Sequence, residues 1–191
     1  MRKVNKDELK TYSLTNDNNC SVKITNFGAS VMSLKVPDKN GRIGDVVLGY
    51  ETPEEYIEGN PYFGATIGRY ANRICKGTFI LDGKEYTLPI NNGNNHLHGG
   101  PQGFHNLIWT VKDYRNDNDQ HFIELEYVSK DGEQGYPGQV TVTVKYTLTE
   151  KNELVIDYEA VTDKKTIINL THHSFFNLKD GGESTILNHK L

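Results

Sequence analysis

Val140-Thr141-Val142-Thr143-Val144-Lys145-Tyr146-Thr147-Leu148 alternates apolar and polar residues without a break. Successive side chains on a β-strand point to opposite faces. The run therefore reads as a strand with one face in a core and the other toward water. A turn at Glu150-Lys151-Asn152 follows, and Leu154, Ile156, Tyr158 and Ala160 keep the same period. Upstream, Phe122-Ile123-Glu124-Leu125-Glu126-Tyr127-Val128 is a third half-buried strand. Asn40-Gly41 and Asp82-Gly83 carry the residue types that accept positive φ in tight hairpins, and Phe79-Ile80-Leu81 and Tyr86-Thr87-Leu88 flank the second of them. Only Thr52-Pro53-Glu54-Glu55-Tyr56-Ile57-Glu58 looks helical. Thr52 is placed as its N-cap, Pro53 at the first helical position, Glu55 as the far side of a capping box, and Gly59 as its end. No internal repeat, low-complexity tract or linker interrupts the pattern. The expectation is one all-β domain over residues 1–191, built from two packed antiparallel sheets.

The bulk properties narrow the function classes. A chain of 191 residues with a net charge of −4 is long enough for a real core and carries no nucleic-acid footprint. Two cysteines, Cys20 and Cys75, are too few for a disulfide framework and suit a reduced compartment. Met1-Arg2-Lys3-Val4-Asn5-Lys6-Asp7-Glu8 is charged, with no apolar segment of a signal peptide behind it. No apolar run approaches bilayer-spanning length. A soluble, cytoplasmic protein without membrane or nucleic-acid partners is expected.

Three stretches fall outside the strand pattern: Gly68–Cys75, Asn91–Phe104 and Asp131–Gly138. Loops over a rigid sheet are where function concentrates. Two histidine clusters stand out, Asn95-His96-Leu97-His98-Gly99-Gly100 and Thr171-His172-His173-Ser174-Phe175-Phe176-Asn177-Leu178. Histidine exchanges protons near neutral pH, and adjacent histidines on a strand face opposite ways, so one of the second pair can look into a cleft. The competing reading of each is a histidine bonded to backbone. A metal reading takes His96 and His98 with a third ligand from His172 or His173, but no carboxylate or cysteine sits at a supporting spacing, and acid–base work is preferred. Arg73, beside Asn72, offers a fork of donors for substrate oxygens, against the commoner reading of a surface arginine. Phe175, Phe176, Tyr70 and Trp109 are candidate aromatic platforms or core residues. Asp131 and Glu133 read as solvated members of a structured loop fixed by its glycines and Pro137.

Taken together, Gly68-Arg69-Tyr70-Ala71-Asn72-Arg73-Ile74, Lys76-Gly77-Thr78-Phe79, Leu81-Asp82-Gly83-Lys84-Glu85-Tyr86, Asn95 to Gly100, Asp131 to Gly138 and Thr171 to Leu178 resemble the aldose 1-epimerase (galactose mutarotase) family. The resemblance runs across nearly the whole chain, with the motifs in the family's order. It implies a large antiparallel β-sandwich with a monosaccharide, a hexose, in an open cleft. The implied reaction interconverts the α and β anomers of free aldoses such as galactose or glucose by proton transfer, with no cofactor and no metal. By motif position, His173 matches the general acid and His98 the second active-site histidine. Asn72 and Arg73 match the sugar-binding pair, and Ser174 and Phe175 beside His173 complete the implied sugar-binding set.

One part of the family pattern has no counterpart. The family's general base is a glutamate near the end of a considerably longer chain, and an aspartate that binds the sugar also lies beyond the second histidine motif. Neither Asp180 nor Glu183 sits in a matching motif. The chain is therefore expected to be the N-terminal part of a mutarotase, with little turnover alone and with open sheet edges that promote self-association. The alternatives are a non-catalytic sugar-binding module on the same sandwich, the metal-dependent site, and a mutarotase for sugar phosphates. The last would want a cluster of basic residues that the sequence does not show.

Overall fold

The computed structural model describes residues 4–59, 61–117 and 120–190. Two four-stranded antiparallel sheets form its body. The first runs in order β1 (Thr11–Thr15), β2 (Ser21–Thr25), β3 (Ser30–Pro37), β4 (Ile43–Asp45). Five short strands of two or four residues follow in the chain: β5 (Thr66–Ile67), β6 (Arg73–Ile74), the hairpin β7 (Thr78–Leu81) with β8 (Lys84–Thr87), and β9 (His96–Leu97), which pairs with β6. The second large sheet is β10 (Thr110–Asp117), β11 (Gln120–Ser129), β12 (Val140–Leu148), β13 (Leu154–Thr162), again in chain order. A last short strand, β14 (Thr171–His172), returns to pair with β5.

Strand β12 is the spine. Its apolar residues Val140, Val142, Val144, Tyr146 and Leu148 are all 0–1% exposed, while the intervening ones face out. They meet Leu14, Val22, Ile24 and Val31 of the first sheet in one core with Ile123, Leu125 and Trp109. Each such side chain contributes about 1.5–3 kcal/mol by leaving water. The period-2 reading of 122–128, 140–148 and 154–158 is thus the arrangement found. Ala160 departs from it: it is exposed. Among the described residues strand β13 lies at the sheet's edge and pairs with β12 alone, and its second half leaves Val161 62% exposed.

The turns follow their residues. Asp82 (φ 50°) and Gly83 (φ 77°) make the two-residue loop between Leu81 and Lys84. The Asn40-Gly41 turn is longer: Asp38 accepts the N–H groups of Asn40 and Arg42, and only Gly41 takes positive φ. Helix α1 (Pro53–Glu58) is the predicted one. The Glu55 carboxylate accepts the Thr52 N–H and hydroxyl at 2.9 Å each, and these bonds hold its pKa below the ordinary carboxylate value. Cys20 is buried, Cys75 exposed, and both are free thiols. Among the described residues no helix is long and apolar enough to cross a membrane.

Candidate active site

A central segment, residues 64–73, brings the two histidine clusters together. On one side β5 pairs with β14, Thr171 opposite Ile67 and His172 opposite Thr66. The His173 N–H continues the ladder to Ala65 O at 3.0 Å, and Gly64 N–H returns to His173 O at 3.1 Å. On the other side β6 pairs with β9, Arg73 opposite Leu97. His98 N–H donates to Asn72 O at 3.1 Å, and Asn72 N–H donates to His98 Nδ1 at 2.9 Å. Gly99 follows with φ +81°, and a Cβ there would stand 1.8 Å from Gly68 O. Only glycine lets the chain turn away behind His98 while touching the central segment.

The result is a cleft of about 580 Å³ whose walls include Asn72, His98, Asn169, His173 and Ser174. The His98 and His173 rings meet edge to face, centroids 5.1 Å apart. Because a backbone N–H can only donate, His98 Nδ1 is an acceptor, and the proton of its neutral ring sits on Nε2. Burial first, then the neighbouring His173 and Arg73, pushes the His98 pKa down to about 4. His98 is therefore a neutral ring with a single N–H to give. Arg73 is exposed beside the cleft, its Nε on Asn92 Oδ1 at 3.0 Å and its Nη1 3.5 Å from Asn72 Oδ1. That leaves most of its donor fork free for a ligand. Phe175, 39% exposed, stacks obliquely on His173 at 5.0 Å and edge-on to Phe63 at 5.3 Å.

The other histidine of each cluster has its ring engaged elsewhere, although His172 also lines the cleft. His172 has its ring toward Tyr146, centroids 6.1 Å apart, and its Nε2 on Ser174 Oγ at 2.6 Å; burial pushes it down to about 4. His96 is wholly buried. Its Nδ1 must donate to the Pro89 carbonyl at 2.7 Å, so its Nε2 accepts from the Tyr136 hydroxyl at 2.7 Å. Both nitrogens are taken, which overturns the metal reading that grouped His96 with His98 and His173. Trp109 and Tyr70 are not platforms either. Trp109 is 1% exposed in the core with Nε1 on Phe104 O, and Tyr70 packs on Ile74, Leu88 and Tyr136. Asp131 pairs with Lys164 at 2.7 Å at the surface, as a solvated carboxylate does, while Glu133 accepts the Tyr127 hydroxyl at 2.7 Å. Asp180 is engaged by the Gly182 and Ser184 backbone N–H groups.

Three side chains near the site carried no sequence signal. Tyr62 packs against His98, His105 and His173. His105, 4% exposed, is a lone histidine in a loop. Arg69 is 2% exposed and binds the carbonyls of Pro137, Gly138 and Lys130 together with Ser129 Oγ, at 2.8–3.2 Å. It anchors the 131–138 loop whose Tyr136 holds His96. The positional motif around Arg73 gave no reason to separate a buried arginine from an exposed one four residues away.

The family model described as aldose 1-epimerase matches residues 10–191. The chain belongs to the aldose 1-epimerase family. It is 49% identical over 170 residues to the galactose mutarotase of Sus scrofa, covering 89% of this chain and 48% of that protein. It is 41% identical over 180 residues to the aldose 1-epimerase of Escherichia coli K12, covering 93% and 51%. Among solved structures, the GalM/aldose epimerase homologue from C. elegans superposes with a TM-score of 0.85 at 33% identity, over 90% of this chain and 51% of that one. The antiparallel sandwich is the fold these relatives share. This chain spans about half the length of the relatives it matches.

Proposed function

We propose that this aldose 1-epimerase family chain binds a free hexose, such as galactose or glucose, in the His98–His173 cleft and supplies the proton-donating half of anomer interconversion. The observation that carries this reading is the edge-to-face imidazole pair at 5.1 Å, which lines one open cleft together with Asn72, with the exposed Arg73 fork beside it. In the reaction, His173 gives a proton to the ring oxygen as the C1–O5 bond breaks. The C1 hydroxyl proton leaves to a base, and the open-chain aldehyde forms. Rotation about C1–C2 and closure with the reverse proton transfers invert C1. Neutral His98 donates Nε2–H to a sugar oxygen, and Arg73 with Asn72 holds the hydroxyls. Phe175 offers an apolar face at the rim. Positioned acid–base groups contribute about 10²–10⁴-fold each.

No carboxylate lines this cleft among the described residues. The reaction needs an acceptor for the C1 hydroxyl proton, so turnover by these 191 residues alone is expected to be slow. The same observation favours a second reading, a sugar-binding module without catalysis. Polarimetry of freshly dissolved α-galactose, alongside a galactose titration followed by amide shifts, separates them. Binding with anomer exchange above the solvent rate, lost in His173→Ala, supports the mutarotase; binding at the solvent rate supports the module. No binding of any hexose at millimolar concentration overturns both. We also propose a cytoplasmic location, which the two free thiols suit.

A further inference from the structure

Three imidazoles, two of which line the cleft, surround one phenol. The Tyr62 ring lies edge-on to His98 at 4.8 Å and to His105 at 4.6 Å, and tilted against His173 at 5.5 Å. His98 has a hydrogen bond from Asn72 to fix its ring. His173 differs: among the described residues its ring makes no hydrogen bond, and packing against Tyr62, His98 and Phe175 sets its orientation. Edge-to-face contacts between aromatic rings are directional, because the ring edge is positive and the face negative.

Two further features mark Tyr62 as held in place for this. Its backbone has φ 69°, a left-handed conformation that a bulky residue adopts only when its surroundings enforce it. The turn is closed by Ala65 N–H to Tyr62 O at 3.2 Å, one residue before β5. Behind the ring, His105 is buried with its Nδ1 unpartnered among the described residues. A buried nitrogen without a partner is unfavourable, so His105 is not there for its own hydrogen bonding. It fills the space against which Tyr62 rests.

We propose that Tyr62 is the positioning residue of this site, its ring rather than its hydroxyl orienting the His173 imidazole toward the cleft and shielding that of His98 from water. This rests on the sugar-site reading above for its purpose, though not for its test. Imidazole correlation spectra of ¹⁵N-labelled chain, recorded from pH 3.5 to 8.5, report both rings directly. Tyr62→Phe should overlay the wild type and bind galactose with an affinity within about threefold of it. Tyr62→Leu should keep its amide spectrum outside the cleft yet move the His173 ring signals. It should also raise the His98 midpoint by about one pH unit, because water then reaches a ring that burial, Arg73 and His173 had kept neutral. Galactose binding should weaken about tenfold. Tyr62→Met, which keeps apolar volume without a ring, serves if the leucine variant does not fold. Unchanged imidazole titrations in the ring-less variants overturn the proposal, as does a Tyr62→Phe variant as disturbed as Tyr62→Leu. If the wild type binds no sugar, the sugar reading fails while the imidazole spectra still decide on Tyr62.

Discussion

Replacing Arg69 by methionine removes every donor of a buried guanidinium while keeping most of its apolar stem. In the structure Nη1 donates to Pro137 O and Gly138 O at 2.8 Å each, and Nη2 to Ser129 Oγ at 2.8 Å and Lys130 O at 3.0 Å. The charged head also lies 5.6 Å from the Tyr136 ring centroid. Hydrogen bonds to a charged group are worth about 1.5–3 kcal/mol each. Adding them overshoots, because burying the cation itself cost several kcal/mol that the variant recovers. The net loss expected is about 3–5 kcal/mol, the range for breaking a buried charged network. For a chain of this size that lowers Tm by about 6–20 °C. Urea unfolding followed by the fluorescence of Trp109, the one tryptophan and 1% exposed, measures it. Arg69→Lys should recover only part, since one ammonium cannot reach Ser129 and the 137–138 carbonyls together. A loss under about 1 kcal/mol for Arg69→Met would refute the idea that this side chain holds the 131–138 loop.

Other outcomes follow from single features. Gly99→Ala places a Cβ 1.8 Å from Gly68 O at φ +81°; it should cost about 3 kcal/mol or more and move the His98 imidazole signals, and a variant of wild-type stability would contradict the close approach. Burial, with the nearby His98 and His173, depresses His105 to about 4 from the ordinary 6.5, so the unfolded chain takes up that proton first. Its contribution is therefore complete above about pH 6.5 and lost as pH falls toward 4, up to about 3 kcal/mol. His105→Phe should flatten the drop in urea midpoint between pH 7.5 and 4.5, and an unchanged drop would assign it elsewhere. Strand β13 offers an unpaired edge with Val155 38% and Val161 62% exposed. Self-association through that edge is expected in sedimentation velocity and should diminish in Val155→Lys/Val161→Lys; a wild-type monomer at all concentrations would remove the basis for it.

The sandwich was readable because its strongest signal is local. Alternation over 140–148 needs only the two-residue period of a strand and one buried face, and the turns at Asp82-Gly83 and Thr52-Pro53 depend on backbone preferences of two or three residues. The Ala160 mismatch arises where locality ends, since its burial depends on what lies across the edge of β13. The histidine clusters were legible as candidates; the strand rule said only that one of His172 and His173 could face a cleft, and motif position picked His173. The role of His96 was not legible, because Pro89 and Tyr136, which engage its two nitrogens, come from different stretches of chain. Tyr62 and His105 lay outside any pattern for the same reason.

By itself the sequence determined the strand period, the turn positions, the short capped helix, and the motif-bearing residues Asn72, Arg73, His98 and His173. Only the tertiary structure decided which of these share a cleft, that His98 presents Nε2–H, that His96 and Arg69 are structural, and that Tyr62 stands between the imidazoles. The physical reason is one of range. Backbone preference and face alternation act between neighbours, whereas ring orientation, tautomer and pKa are fixed by groups that meet only after β5, between β14 and the 72–98 pairing, has drawn distant segments together.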